Sequence, residues 1–149
     1  MPDLILLHAP SVYDFRKKTI LYGPVSDLIP STTAFEMYPI GFASMVDYLT
    51  RAGYSVRILN LAVRMLNDKN FDAEIAIKHL KAPLFGIDLH WLLHSHGAIE
   101  IAKLVKKYHP ESKVIFGGLS SSYYFKQLMD YEEIDYGQVG WRPRLAVAG

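Results

Sequence analysis

The sequence predicts an α/β fold in which a parallel sheet carries helices on both faces, and three observations predict it. The first is the unbroken apolar run Leu4, Ile5, Leu6 and Leu7, which has strand length and no alternation, as expected of a strand covered on both sides. The second is the order of elements. Short β-rich runs are separated by stretches of helical spacing about a dozen residues long, which is how parallel strands are joined by right-handed crossovers. The third is KVIFGGLSSS, Lys113 to Ser122, where a strand breaks on two adjacent glycines and then on three serines. Ligands of open α/β sheets bind outside the carboxyl ends of the strands, and glycine lets backbone approach a ligand closely. Gly117 and Gly118 therefore mark a candidate binding edge, the alternative being a tight turn that meets no ligand.

In chain order, Asp3 to His8 reads as the first, central strand. From Ala9 to Tyr38 the periodicity is lost, and Pro10, Gly23, Pro24 and Pro30 are interleaved with Tyr13, Phe15, Tyr22 and Phe35. A loop this long is expected to be a structured flap over a site, its aromatics arguing against full disorder, or else an insertion ordered by a partner. Pro39 to Ala52 is an amphipathic helix with Ile40, Ala43, Val46 and Leu49 on one face, closed by Gly53. Tyr54 to Leu61 is a second strand, Asn67 to Asn70 a polar turn, and Phe71 to Leu80 a short helix with Asp72 near its start. Leu84 to Asp88 is a third strand, followed by the histidine-rich HWLLHSHG. Ala98 to Tyr108 places Ile101, Leu104, Val105 and Tyr108 on one helix face, with Lys106 and Lys107 suited to its C-terminus. After the glycine strand, Tyr123 to Tyr131 reads as a helix and Ile134 to Val139 as an edge strand.

Composition narrows the function. The 149 residues suit one domain, and a formal net charge of +1 provides no electrostatic footprint for nucleic acid. The chain has no cysteine, which excludes disulfides, thiolate zinc sites, iron–sulfur clusters and cysteine nucleophiles within it. The N-terminus has no basic leader, and no apolar run approaches the roughly 18 residues of a membrane span, so a soluble, cytoplasmic protein without a membrane partner is expected. A G-x-S-x-G elbow, a P-loop and a G-x-G-x-x-G fingerprint are all missing from the sequence. A phosphorelay receiver would need acidic residues after the first strand, where the chain has HAPS.

Several segments together resemble the cobalamin-binding domains attached to radical S-adenosylmethionine enzymes. They are YPIGFASMVDYLTRAGYSVRILNL, then LFGIDLHW, then IAKLVKKYHPESKVIFGG, and the closing EEIDYGQVG. The match runs from about residue 3 to residue 140. It implies a flavodoxin-like (Rossmann-like) three-layer sandwich with a five-stranded parallel sheet of order 2-1-3-4-5. Residues 1–140 would form the domain, with the long loop 9–38, and 141–149 a C-terminal tail. The implied cofactor is cobalamin, its corrin on the strand ends and its nucleotide tail entering beside the first strand and the glycine loop. The implied cofactor-binding residues are His8 and Pro10 after the first strand; Tyr38, Pro39 and Gly41 at the first helix start; Asp88, His90 and Trp91 after the third strand; and Gly117, Gly118, Leu119 and Ser120. The implied partner is a radical S-adenosylmethionine domain or subunit, since this chain has no cysteines to hold that cluster.

Two departures from the family pattern stand out. The D-x-H-x-x-G motif that sets an axial histidine after the first strand in methyltransferase and mutase members is missing, since this strand ends LLHAPSVYD. Asp88, Leu89 and His90 imitate the motif's first half, but after the third strand and without the glycine, and read as a decoy. Beyond Gly140 the tail WRPRLAVAG no longer resembles the family, as a truncated or frame-altered terminus would explain.

Other groupings leave alternatives open. His8 either reaches a ligand or is satisfied by neighbouring backbone. His90, His94 and His96 either line the cofactor crevice or form a metal site, His90 and His94 having the i, i+4 spacing of helical ligand pairs. Trp91 either stacks on a flat ring or packs. Ser120, Ser121 and Ser122 either donate to a phosphate or amide tail, or Ser121 or Ser122 simply caps the following helix. The reading these patterns favour is a non-catalytic cobalamin-binding module; the alternative is a flavodoxin-like domain with a histidine metal site or a purely interacting role.

Overall fold

The structure, a computed structural model, describes residues 1–17, 39–138 and 145–147. The strands are β1 (Leu4–His8), β2 (Val56–Asn60), β3 (Leu84–Asp88), β4 (Lys113–Gly117), β5 (Tyr136–Gln138) and β6 (Leu145–Val147). The helices are α1 (Ile40–Arg51), α2 (Leu61–Asn67), α3 (Ala73–His79), α4 (Ser95–Tyr108), α5 (Leu119–Tyr123) and α6 (Phe125–Leu128). Five parallel strands lie in the order 2-1-3-4-5, as expected, and β6 adds an antiparallel sixth at the β5 edge, pairing Tyr136 with Val147. Part of the expected tail thus joins the sheet. A three-residue strand carries too little periodicity to be seen in sequence.

Parallel pairing puts alternate residues on opposite faces. On one face Ile5, Leu7, Phe85, Ile87, Val114 and Phe116, all buried, pack with Leu61 and Met65 of α2, Ile77 of α3, and Ile101 and Val105 of α4. Each fully buried side chain of this kind is worth about 1.5–3 kcal/mol. The opposite face carries Leu4, Leu6, Gly86 and Ile115, and a Cβ on Gly86 would lie 2.7 Å from the end of the Leu6 side chain, which would have to move aside. At the strand ends that same face carries His8, Asp88 and Gly117.

Helix α1 starts one residue after Pro39, and Gly53 closes its end at φ 91° with its N–H on Thr50 O. Its inward stripe differs from the expected one. Ile40 is 80% exposed, Ala43 is exposed, and the buried or half-buried positions are Phe42, Val46 and Leu49. Their i, i+4, i+7 spacing starts two residues later than the sequence reading placed it.

Helix α2, which the sequence reading did not expect, begins on Leu61, the last residue of the expected second strand, and runs to the start of the expected polar turn. Asn60 ends β2 and its Oδ1 accepts from Val63 N at 2.9 Å, so the chain turns directly from strand into helix and Leu61 goes into the core. Asp72 caps α3 as anticipated, accepting from Ile75 N at 3.0 Å. The single helix expected over 123–131 is instead two short ones, which begin earlier, at Leu119, and meet at Tyr124.

Asp135 fastens β5 to β4. Its carboxylate accepts from Val114 N (2.8 Å) and Lys113 Nζ (2.9 Å) and pairs with Lys106 Nζ at 2.7 Å. Burial pushes this carboxyl up, but the hydrogen bonds from Lys106, Lys113 and Val114 N–H outweigh burial and hold it below the usual range. A depressed native pKa stabilises fully above the unfolded value, about 3.9, and that contribution is lost as pH falls through the native value. Asp135→Asn is therefore expected to lower unfolding stability at pH 7 by about 1.5–3 kcal/mol in urea titrations. It should also flatten the acid-side loss below about pH 4 that the wild type shows.

Candidate functional site

The sheet changes winding direction between β1 and β3, because the chain leaves β1 toward β2 and leaves β3 toward β4. Strands diverge there at their carboxyl ends, which is where open α/β sheets take ligands. The register brings Asn60, His8, Asp88 and Gly117 into one row across four strands. Three of the four are polar, and β1 and β3, which His8 and Asp88 end, are otherwise apolar.

Asp88 is the centre of the row. Its Oδ1 lies 2.8 Å and its Oδ2 3.0 Å from His8 Nδ1, and Oδ2 is also 3.0 Å from His90 Nδ1. Burial pushes this carboxyl up, but the two imidazole hydrogen bonds outweigh it and keep Asp88 below the usual carboxylate range. An ionised carboxylate only accepts, so both Nδ1 atoms carry protons and donate. His94 completes a cluster of rings, with centroids 5.5 Å from His8 and 5.3 Å from His90, while the His8 and His90 rings stack at 6.1 Å. His8 and His94 are each 1% exposed, whereas the His90 side chain is 32% exposed.

His8 thus reaches a side chain of the neighbouring strand, an outcome neither sequence reading of it contained. His96 is engaged elsewhere, its Nδ1 accepting from Tyr13 N at 3.2 Å. Among the described residues no group of three or more His, Asp or Glu side chains is arranged to hold a metal ion, so the histidine-metal reading finds no support.

The loops at this edge are stitched by backbone. Leu89 N donates to Gly117 O (2.7 Å), Ser121 N to Leu89 O (3.0 Å) and Gly97 N to Ser11 O (3.2 Å). Two glycines make that contact possible. Gly118 has φ 108°, and a Cβ there would lie 2.7 Å from His90 N and 2.8 Å from Leu89 O. Gly97, in the first turn of α4, is tighter still, since a Cβ would fall 1.7 Å from the Pro10 carbonyl oxygen. Gly97 escaped the sequence reading; a glycine inside a helix's first turn, where it lowers propensity, was the available signal.

The serines are mostly spent on this stitching. Ser120 Oγ donates to His90 O at 3.0 Å and Ser122 Oγ to Gly118 O at 3.2 Å. Neither Ser121 nor Ser122 caps the helix, because Gly118 occupies the N-cap position. Pro10 is buried, Leu119 is 67% exposed, Trp91 is 42% exposed, and Pro39 and Gly41 sit at the α1 start. Tyr38 and the rest of the expected flap from residue 18 onward lie outside the described residues. The flap's first part is packed, with Ala9, Ser11 and Val12 buried and Tyr13 and Phe15 against the core.

A cavity of about 520 Å³ lies where this loop meets the start of α3, lined by Tyr13, Arg16, Phe71 and Asp72 among others. Two of its charges, Arg16 and Asp14, are paired with each other. Arg16 bonds Asp14 through Nε (2.9 Å) and Nη2 (2.8 Å) and Lys69 O through Nη1 (3.0 Å). Burial, then the Asp72, Glu74 and Asp14 carboxylates, push the Tyr13 phenol up to about 12, so it stays neutral.

Fold and edge together define a flavodoxin-like domain with a polar edge at the switch point between β1 and β3. The chain belongs to the B12-binding domain family, which matches residues 27–148. The resemblance read from the sequence is therefore borne out, and the family's cofactor is cobalamin. The chain is 26% identical over 108 residues to the hopanoid C-3 methylase of Methylococcus capsulatus (strain ATCC 33009 / NCIMB 11132 / Bath), covering 72% of this chain and 20% of that protein. The structure of the radical S-adenosylmethionine methyltransferase TsrM from Kitasatospora setae, with tryptophan substrate and a SAM analog (aza-SAM) bound, matches with a TM-score of 0.58. That match covers 91% of this chain and 23% of the other at 17% identity, and shows the shared fold. The chain thus spans about a fifth of the curated relative it matches.

Cobalamin fits the residues present. Gly117 ends the polar row on the β4 side without a side chain. Two buried donors near it, Asn60 Nδ2 and Ser121 Oγ, have no hydrogen-bond partner among the described residues. Among those residues, too, no helix is long and apolar enough to cross a membrane.

Two glycine substitutions should move stability in opposite directions. Gly97→Ala is expected to destabilise by about 1–3 kcal/mol or more, because the methyl group must displace the Pro10 backbone. Gly41→Ala, whose Cβ would meet nothing within 4 Å, is expected to be neutral or to stabilise by up to about 1 kcal/mol. Thermal unfolding of the two variants checks both.

Proposed function

We propose that this chain is a cobalamin-binding module, non-catalytic by itself, that serves as the N-terminal part or the partner of a radical S-adenosylmethionine enzyme. The observation that carries the reading is the polar row at the switch point, beside a glycine pair free of side chains, in a chain of the B12-binding family. On this reading Gly117, Gly118, Leu119 and Ser120 admit the nucleotide tail. Pro39 and Gly41 border the corrin at the α1 start, and His90 and Trp91 face it from β3.

Bound cobalamin supplies a cobalt centre that carries a transferable group. The chain's own residues hold and orient it: the stitched loops fix the floor, and the buried Asp88 fixes the imidazoles. With no cysteine, the chain leaves the cluster ligands of radical chemistry to another domain or subunit. TsrM, whose fold this chain shares, is described as a radical S-adenosylmethionine methyltransferase, which supports that partner. A cytoplasmic location fits it as well, since cluster thiolates persist in a reducing compartment.

Purified protein mixed with hydroxocobalamin and then desalted is expected to keep about one corrin per chain, read from the corrin absorbance. A protein fraction free of corrin would contradict the cofactor assignment. Given S-adenosylmethionine and a reductant but no partner, the loaded chain is expected to transfer no methyl group, and turnover by the chain alone would overturn its non-catalytic role.

A further inference from the structure

The two faces of the sheet are covered unequally. On the face that packs against α2, α3 and α4, Ile5, Phe85, Val114 and Phe116 are each at most 1% exposed. On the other face Leu6 of β1 is 3% exposed, but Leu84, Ile115 and Tyr136 of β3, β4 and β5 are only half-buried. A right-handed crossover from β1 to β2 lays α1 over those two strands and leaves the strip over β3 and β4 beside it.

Helix α1 has more apolar surface than its own sheet uses. At roughly 3.6 residues per turn, Phe42, Val46 and Leu49 face the sheet, and Met45, Tyr48 and Ala52 fall on the flank turned toward β3. These three are exposed, Met45 by 42% and Tyr48 by 74%, and they recur at i, i+3 and i+7, the spacing of a coiled-coil seam. Ile40, on the side away from the sheet, is 80% exposed. The charged side chains of the helix, Asp47 and Arg51, pair with each other at 2.9 Å, so α1 brings no net charge to a neighbour.

We propose that this surface is the interface of a two-fold dimer of the chain. The axis runs along the strands, the two α1 helices lie side by side and parallel, and each covers the strip of sheet beside its partner. A two-fold interface needs a patch complementary to itself, and here an uncovered helix and an uncovered strip of sheet lie next to each other on one face. The dimer goes beyond the cobalamin reading and does not depend on it, since the polar row lies at the strand ends.

The test is sedimentation velocity of the chain without cofactor between about 10 μM and 1 mM, the range in which a small interface dissociates. The expected result is a shift from the mass of one chain to that of two. Tyr48→Glu should raise the dissociation constant about tenfold or more and leave thermal unfolding unchanged. Because the chain has no cysteine, single introduced cysteines report the arrangement. Met45→Cys and Tyr48→Cys are each expected to form disulfide-linked dimers on mild oxidation, and Thr50→Cys, exposed on the opposite flank, to stay monomeric. Should Tyr48→Glu fail to fold, the cysteine variants decide alone.

A chain that stays monomeric up to about 1 mM overturns the proposal. So does a dimer that Tyr48→Glu leaves intact, as pairing through the free edge of β2 would give. Cross-linking no faster from Met45→Cys and Tyr48→Cys than from Thr50→Cys overturns it as well.

Discussion

The buried carboxylate of Asp88 is the interaction on which the functional end of this molecule depends. Burying an ionised carboxyl costs several kcal/mol unless it is fully hydrogen-bonded, and here two imidazole N–H groups at 2.8 and 3.0 Å supply the bonds. Because His8 belongs to β1 and Asp88 to β3, the bond crosses the one gap where the two halves of the sheet part company. The same carboxylate then reaches forward to His90. A single charge therefore ties the strand ends together and sets the orientation of His90, the most exposed of the three clustered imidazoles.

Around that charge the edge is built by close backbone approach. Gly118 lets the β4 loop lie on Leu89 and His90, and Gly97 lets α4 lie on Pro10. The loops after β1, β3 and β4 consequently form one unit rather than three separate segments, joined by the bonds of Leu89, Ser121 and Gly97 N–H groups. A rigid floor of this kind suits a large flat cofactor, since little conformational entropy is left to be lost on binding. The glycine pair of β4 serves two ends at once: Gly118 makes the loop contact, and Gly117 ends the polar row without a side chain.

How much of this was legible in the sequence follows from the range of each interaction. Elements defined by local signals came through well: the apolar runs of β1 and β3, the Gly53 stop of α1 and the Asp72 cap of α3. Segments whose state is set by tertiary context did not. Leu61 continues an apolar strand pattern, yet Asn60 starts a helix there; Tyr124 divides a pattern that reads as one helix; and β6 is too short to show periodicity. At the site, Gly117, Gly118, His8 and Asp88 were recognisable as an edge. Their connection was not, because His8 and Asp88 are 80 residues apart and only the parallel register brings them together. The same distance explains why Asp88 and His90 looked like a misplaced motif fragment.

The most direct test of this account is the tautomeric state of the histidines, read by long-range ¹H–¹⁵N correlation spectra of ¹⁵N-histidine protein without cofactor at neutral pH. With Asp88 ionised between them, His8 and His90 should both show a protonated Nδ1, and the His90 Nδ1 proton should be lost or become mobile in Asp88→Asn. A His90 ring without a proton on Nδ1 in the wild type, or one indifferent to Asp88→Asn, would contradict the carboxylate's organising role.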